Sequence, residues 1–290
     1  MSPVFEKAYA KLNLTLDVIG KREDGYHDLD MIMQTVSLSD TVSVRRGAGD
    51  GIRVMSNLGY LPSDERNIAY VAAQVFFAQT GVSCDGLSIV MEKRIPVAAG
   101  MAGGSADGAA VLRALNRIYE TNLSLQELAA MGKQVGADVP YCVFGGTMRA
   151  RGIGEVLDPL PAMPNCYLVL CKPQFGMSTA RVFGALALNE VKTRPDTERV
   201  IRALEEGDLS SIARGLSNVL EPVVAQKHAE ISNLRRNMIE CGALGACMSG
   251  SGSTVFGIFE SKTRAQMAVS RLKKRHKDTF LTEPVGVQHA

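Results

Sequence analysis

From Ala10 to Val18 the chain alternates: Ala10, Leu12, Leu14, Leu16 and Val18 fall on one side, Lys11, Asn13, Thr15 and Asp17 on the other. A period of two predicts a half-buried strand with Lys11 and Asn13 side by side on its polar face. Residues 87–91, 167–171 and 254–259 form further apolar, strand-like runs. Residues 67–80, 107–119 and 124–135 read as helices; in the second, Val111, Leu112, Leu115, Ile118 and Tyr119 share one face at the 3.6-residue period. Strands come first and helices later, and a strand leads into several more helix-like runs after residue 171. That mixture predicts two α+β domains rather than regular βαβ alternation. The sharpest break is Leu157-Asp158-Pro159-Leu160-Pro161-Ala162-Met163-Pro164, whose prolines interrupt regular hydrogen bonding. It predicts a connection, and with it a division into residues 1–158 and 159–290.

Between the strand at 87–91 and the helix at 107–119 lies Pro96-Val97-Ala98-Ala99-Gly100-Met101-Ala102-Gly103-Gly104-Ser105. Small residues and glycines let such a backbone fold tightly and approach a ligand closely. Gly103-Gly104-Ser105 would present unpaired N–H groups at the start of a helix, a site for phosphate, with Ser105 as N-cap and Asp107 in the first turn. No Lys-Ser or Lys-Thr follows, and no G-x-G-x-x-G spacing occurs, so the two commonest glycine loops are excluded. On local backbone physics alone, a tight structural turn accounts for the loop as well as an anion site does.

Two other segments carry candidate chemistry. Gly136-Ala137-Asp138-Val139-Pro140 follows an amphipathic helix that Ser124 can cap. Gly136 fits the position just past its end and Pro140 blocks continuation, which places Asp138 at a defined turn. A loop aspartate ordinarily supports its own backbone, and a lone Lys11 on a strand is ordinarily solvated. A second glycine loop, Met248-Ser249-Gly250-Ser251-Gly252-Ser253, precedes the strand at 254–259.

Composition narrows the class. The 290 residues carry a net charge of only +2, which gives no basic footprint for nucleic acid. The one basic run, residues 271–277, closes a helix that begins near Ser261. The six cysteines include no C-x-x-C pair and the four histidines are scattered, so neither a zinc site nor a disulfide framework is expected. No stretch has the length of a membrane span and the N-terminus has no apolar signal core, so a reduced, cytoplasmic protein is expected.

Ala10-Lys11-Leu12-Asn13-Leu14, the 96–105 loop and the 248–253 loop follow one another in the order of the three motifs of the GHMP kinases. The chain resembles that family over nearly its whole length, weakly between residues 189 and 244. Arg22-Glu23-Asp24-Gly25-Tyr26-His27 and Gly136-Ala137-Asp138-Val139-Pro140 resemble the branch whose alcohol substrate is a cytidylated methylerythritol of the non-mevalonate isoprenoid route. The resemblance implies an α+β, two-domain fold: an N-terminal domain like ribosomal protein S5 domain 2, an α+β C-terminal domain, and an active site between them. It implies transfer of the γ-phosphate of ATP to the 2-hydroxyl of that alcohol.

It also implies roles. Asp138 would take the proton of the hydroxyl, Lys11 would steady the developing negative charge, and Asn13 would hold the substrate. Pro96, Val97, Ala98, Ala99, Gly100, Met101, Ala102, Gly103, Gly104, Ser105 and Ala106 would cradle the phosphates, with Asn67 and Lys93 near the nucleotide. Asn67 equally fits a helix N-cap, and Lys93 a solvated strand end. Tyr26 would stack on cytosine, His27 would bond its edge, and Phe183, within Ser178-Thr179-Ala180-Arg181-Val182-Phe183, would cover the other face. Tyr26 and Phe183 as core aromatics, with His27 capping a turn, remain open alternatives. Magnesium would arrive with ATP, with no protein ligand assigned. The expected partners are these two small molecules, with no nucleic acid or membrane, for a monomer or weak homodimer.

Two residues depart from the family pattern: Ala106 stands where a second serine is common, and Gly108 where alanine is. Three readings compete with this one. Another GHMP kinase would lack the use for Tyr26 and His27. A regulator that only binds nucleotide would not need both Lys11 and Asp138. An RNA-associated protein would need a basic patch.

Overall fold

The computed structural model describes residues 2–47 and 49–288. Two long antiparallel strands, β1 (Val4–Lys21) and β2 (His27–Arg46), form the spine of a seven-stranded sheet. The first half of β2 pairs with β5 (Thr147–Gly152), which pairs with β6 (Val156–Pro159). Its second half pairs with β4 (Leu87–Glu92), and β4 pairs in parallel with β3 (Ile52–Ser56). Four helices belong to this half of the chain: α1 (Ile68–Thr80), α2 (Gly103–Ile118), α3 (Leu125–Val135) and α4 (Val139–Phe144).

The second sheet has the order β11-β7-β10-β9, all antiparallel, from β7 (Tyr167–Cys171), β9 (Gly245–Met248), β10 (Val255–Phe259) and β11 (Thr279–Thr282). With it come α5 (Thr179–Gly184), α6 (Thr197–Glu206), α7 (Leu209–Arg214), α8 (Glu221–Lys227), α9 (Glu230–Glu240) and α10 (Lys262–Lys273). Two returns cross from the later chain to the first sheet. β8 (Ser217–Asn218) pairs in parallel with β1. Residues 283–288 lie along the middle of β2 and the end of α4: the N–H of Val285 donates to the Thr35 carbonyl and that of Gln288 to Phe144.

The alternation in β1 is real, but its apolar side is not one face. Register shifts between Tyr9 and Lys11 and between Asn13 and Thr15 each insert an irregularity. Ala8, Leu16 and Val18 therefore join the large core that also holds α1 and α2 residues, whereas Ala10, Leu12 and Leu14 pack with Leu168, Leu170 and Phe256 of the second sheet. The polar side is not solvated either. Lys11, Asn13, Thr15 and Asp17 are all buried.

Element boundaries mostly follow the sequence pattern. Ser124 caps α3 through a reciprocal bond pair with Glu127, and Ser261 caps α10. Leu157, Asp158 and Pro159, expected in a connection, belong instead to β6, an edge strand where proline is tolerated. Gly108 has a packing reason: a Cβ there would meet Ile68 Cγ2 at 2.8 Å, so the departure from alanine lets α1 approach α2. Among the described residues the six cysteines are free, and no helix is long and apolar enough to cross a membrane.

Candidate active site

One cavity of about 1020 Å³ collects most of the residues singled out from the sequence. Every residue from Pro96 to Ser105 lines it, with Lys11, Asp138, Asn67, Lys93, Tyr26, His27 and Phe183. Two candidates do not reach it. Ala106 turns into the core within α2, one residue past the first-turn positions that face the cavity. Asn13, expected to hold substrate, is fully buried; its Oδ1 accepts from Lys11 Nζ at 2.7 Å, so it orients the lysine instead.

The 96–105 loop is pinned by its carbonyls. Those of Ala98, Ala99, Gly100 and Met101 accept, in order, from Met177 N, Thr254 N, Ser249 Oγ and Lys11 N at 2.9 to 3.3 Å. Three separate segments, around Lys11, Met177 and the 248–254 loop, thus grip four successive peptide units. The backbone needed for this is left-handed at every second residue: Ala98 (φ 52°), Gly100 (φ 75°) and Ala102 (φ 55°). Two of these are alanines, an uncommon conformation for an L-residue. At Gly100 no side chain fits, because a Cβ would stand 2.1 Å from the Ser249 carbonyl oxygen.

This packing gives the 248–253 loop its place, directly behind the first glycine loop. It also moves the start of α2. Ala102, not Ser105, is the capping residue, no side chain caps it, and the first backbone bond is Ala106 N to Ala102 O. The N–H groups of Gly103, Gly104 and Ser105 are left without carbonyl partners inside the helix, at its positive end and beside the cavity.

Lys11 and Asp138 meet across this loop. Lys11 is 5% exposed, and its Nζ stands 3.8 Å from Asp138 Oδ2. Asp138 opens α4, but its side chain makes no capping bond, so the ordinary use of a loop aspartate does not apply. Pro140 stands in the first turn of α4, after Val139, rather than merely ending α3. Asp138 is 32% exposed on its side chain, open to a ligand in the cavity.

Beneath the loop lies a group the sequence reading missed. Lys93, expected near nucleotide or solvated, is buried and paired with the carboxylates of both Asp40 and Asp107, and its Nζ reaches the Gly103 carbonyl at 3.4 Å. Burial alone would lower the Lys93 pKa; Asp107 and Asp40 outweigh it and hold the ammonium above its ordinary value. Burial pushes the Asp107 carboxyl up to about 7, against the pull of Lys93 and with Asp40 adding to the rise. Asp107 is therefore a buried partner of Lys93, not a first-turn charge facing water. Asn67 caps α1, its Oδ1 accepting from Ala69 N and its Nδ2 donating to the Pro62 carbonyl, while one edge still faces the cavity.

The other end of the cavity is aromatic. Tyr26 is 57% exposed in a turn that Asp24 organises through the Tyr26 N–H. His27 opens β2, and its ring centroid lies 5.2 Å from that of Phe183 on α5. A hydroxyl contact of 3.0 Å between Thr179 and Ser251 ties α5 to the second glycine loop. Among the described residues no cluster of three or more His, Cys, Asp or Glu side chains is arranged to hold a metal ion.

Residues 67–146 match the model of the GHMP kinase N-terminal domain and residues 200–278 that of the GHMP kinase C-terminal domain. The 4-diphosphocytidyl-2-C-methyl-D-erythritol kinase of Acetivibrio thermocellus is 45% identical, covering 98% of this chain and 100% of its own. That of Clostridium perfringens is 46% identical over 97% of this chain and 98% of its own. The chain belongs to the 4-diphosphocytidyl-2-C-methyl-D-erythritol kinases of the GHMP family. A crystal structure of 4-(cytidine 5'-diphospho)-2C-methyl-D-erythritol kinase superposes on this GHMP kinase with a TM-score of 0.83 at 32% identity, covering 98% of this chain and 100% of that one. Homoserine kinase from Cytophaga hutchinsonii shares the fold, with a TM-score of 0.79 at 20% identity.

Proposed function

We infer that the protein transfers the γ-phosphate of ATP to the 2-hydroxyl of 4-diphosphocytidyl-2-C-methyl-D-erythritol, in the non-mevalonate route to isoprenoid precursors. The observation that carries the reading is the meeting of Lys11 and Asp138, far apart in sequence, beside three unpartnered helix N–H groups in one cavity. A tertiary alcohol is a weak nucleophile near neutral pH, so a carboxylate within reach of its proton helps. Asp138 is assigned that role because its side chain is open to the cavity and committed to no cap. Lys11, held by Asn13, supplies positive charge where the alkoxide and the passing phosphoryl oxygens build up negative charge.

The phosphates are assigned to the N–H groups of Gly103, Gly104 and Ser105. Magnesium enters as part of the MgATP substrate. At the far end Tyr26 offers a face for cytosine, His27 an edge partner and Phe183 a second apolar wall. We place the division between an N-terminal and a C-terminal domain at 158/159, with the cavity drawing residues from both sides. The deciding experiment incubates the protein with MgATP and a panel of alcohols while ADP release is followed. Turnover with the cytidylated methylerythritol and not with homoserine or mevalonate is expected; turnover with either of the latter would reassign the acceptor.

A further inference from the structure

The loop assigned to the phosphates is left-handed at three positions and open to the cavity, and its middle is held by its carbonyl bonds and by the burial of Ala99 and Met101. Its stalks are held from below. Asp40 is fully buried on β2, between Ser39 and Thr41. Its Oδ1 accepts the N–H groups of Arg94 and, at 2.8 Å, Ile95, the two residues that lead into Pro96. Its other oxygen pairs with the Lys93 ammonium. That ammonium in turn pairs with Asp107 and reaches the Gly103 carbonyl, both on the helix that leads out of the loop.

One carboxylate therefore grips the entry of the loop directly and its exit through Lys93. The two stalks also touch, since a Cβ on Gly103 would lie 3.0 Å from Ile95 Cγ2. We propose that Asp40 is a positioning residue for phosphoryl transfer, fixing both stalks of the phosphate loop before ATP arrives. The proposal rests on the kinase reading above.

Asp40 touches neither the cavity nor Lys11 and Asp138, so its effect has to pass through the loop or through Lys93. A residue that served folding alone would change the affinity for every ligand in proportion to the protein unfolded. A residue that positions the loop changes ATP and leaves the cytidine end alone. The geometry also separates two contributions of Asp40: its acceptor oxygen for the two N–H groups, and its charge for Lys93. Asparagine keeps the first and leaves Lys93 paired with Asp107; alanine removes both.

The test titrates wild type, Asp40→Ala and Asp40→Asn with MgATP and, separately, with CDP, and measures KM for each substrate and kcat. Asp40→Ala is expected to weaken MgATP by roughly 10- to 100-fold, the scale on which a displacement of about 1 Å acts. CDP affinity and KM for the alcohol should stay within about twofold, and Asp40→Asn should recover most of the ATP affinity. ATP binding unchanged in a cooperatively folding Asp40→Ala protein, or ATP and CDP lost together, overturns the proposal.

Should Asp40→Ala fail to fold, amide exchange in the wild type decides. The Arg94 and Ile95 N–H groups are expected to be protected without nucleotide and unchanged by a non-hydrolysable ATP analogue. Protection gained only on adding the analogue overturns preorganisation. Wild type that binds neither MgATP nor CDP removes the kinase reading, and this inference with it. Wild-type binding with an indifferent Asp40→Ala removes this inference alone.

Discussion

At the proposed phosphate end of the cavity four successive carbonyls are gripped by three segments, and an ion cluster closes the floor. At the base end Tyr26 stands more than half exposed, and the nearest aromatic pair, His27 and Phe183, meet at a tilt of 38°. In the proposed reading the phosphate end is held by bonds within the protein, whereas the other end is left for a base to complete. The contrast follows the chemistry. Phosphoryl transfer depends on donors fixed where charge develops, and movement there would cost rate. Recognition of a flat base needs only apolar faces and a few edge bonds, which an open turn can supply.

The contrast is broken most severely at the reacting pair. Asp138→Asn is expected to fold, to bind ATP normally and to lose about 10²–10⁴-fold in kcat, the usual worth of a general base. A steady-state assay that found near-normal turnover would take Asp138 out of the mechanism. Next comes the rigid end itself. Gly100→Ala places a Cβ on the Ser249 carbonyl in a left-handed backbone, and the loop has to move. ATP affinity should fall on the order of 100-fold by titration calorimetry while CDP affinity holds.

At the open end the expected effect is smaller and falls on the other substrate. Tyr26→Ala should raise KM for the cytidylated alcohol by roughly 5- to 150-fold, the worth of about 1–3 kcal/mol of stacking, with KM for ATP little changed. CDP should compete with the alcohol better than UDP, because a carbonyl in place of an amine leaves edge partners mismatched. Equal competition, with Tyr26→Ala like wild type, would put the base elsewhere.

The mildest test concerns the floor. The Asp107 carboxyl is raised to about 7 in the folded protein, so between about pH 4 and 7 the folded state binds more protons than the unfolded one. Stability contributed at low pH is lost as the pH rises through that window and stays flat above it. Asp107→Asn should flatten the slope in a series of thermal unfolding curves.

How much of this was legible in the chain differs between the same two regions. Tyr26, His27 and Phe183, and the pairing of Lys11 with Asp138, came from motifs and were brought to one cavity. The interior of the phosphate end was read less well. Glycine ordinarily takes left-handed backbone, but here Ala98 and Ala102 carry it too, because hydrogen bonds from distant segments impose a conformation that local preference opposes. The burial of Lys93 depends on Asp40 and Asp107, remote partners that no local pattern around residue 93 specifies.

A signal was nonetheless present in β2. Asp40 shares its parity with Val36, Leu38, Val42 and Val44, so a charge sits among core positions, and a buried charge requires a partner. The double burial of β1 was hidden for another reason. Its irregularities against β2 move the apolar set from one core to another, and alternation alone carries no mark of them.

The two returns of the later chain bear on how the protein is made. β1 and β2 precede the second sheet in the chain, yet Ala10, Leu12, Leu14 and Ile32 complete their apolar cover only when residues 168–170 and 256–258 have emerged. Thr35 and Phe144 receive backbone partners as late in the chain as Val285 and Gln288. A nascent chain halted after β6 would expose this apolar surface, and the first sheet is completed only once β8 and residues 283–288 have been added.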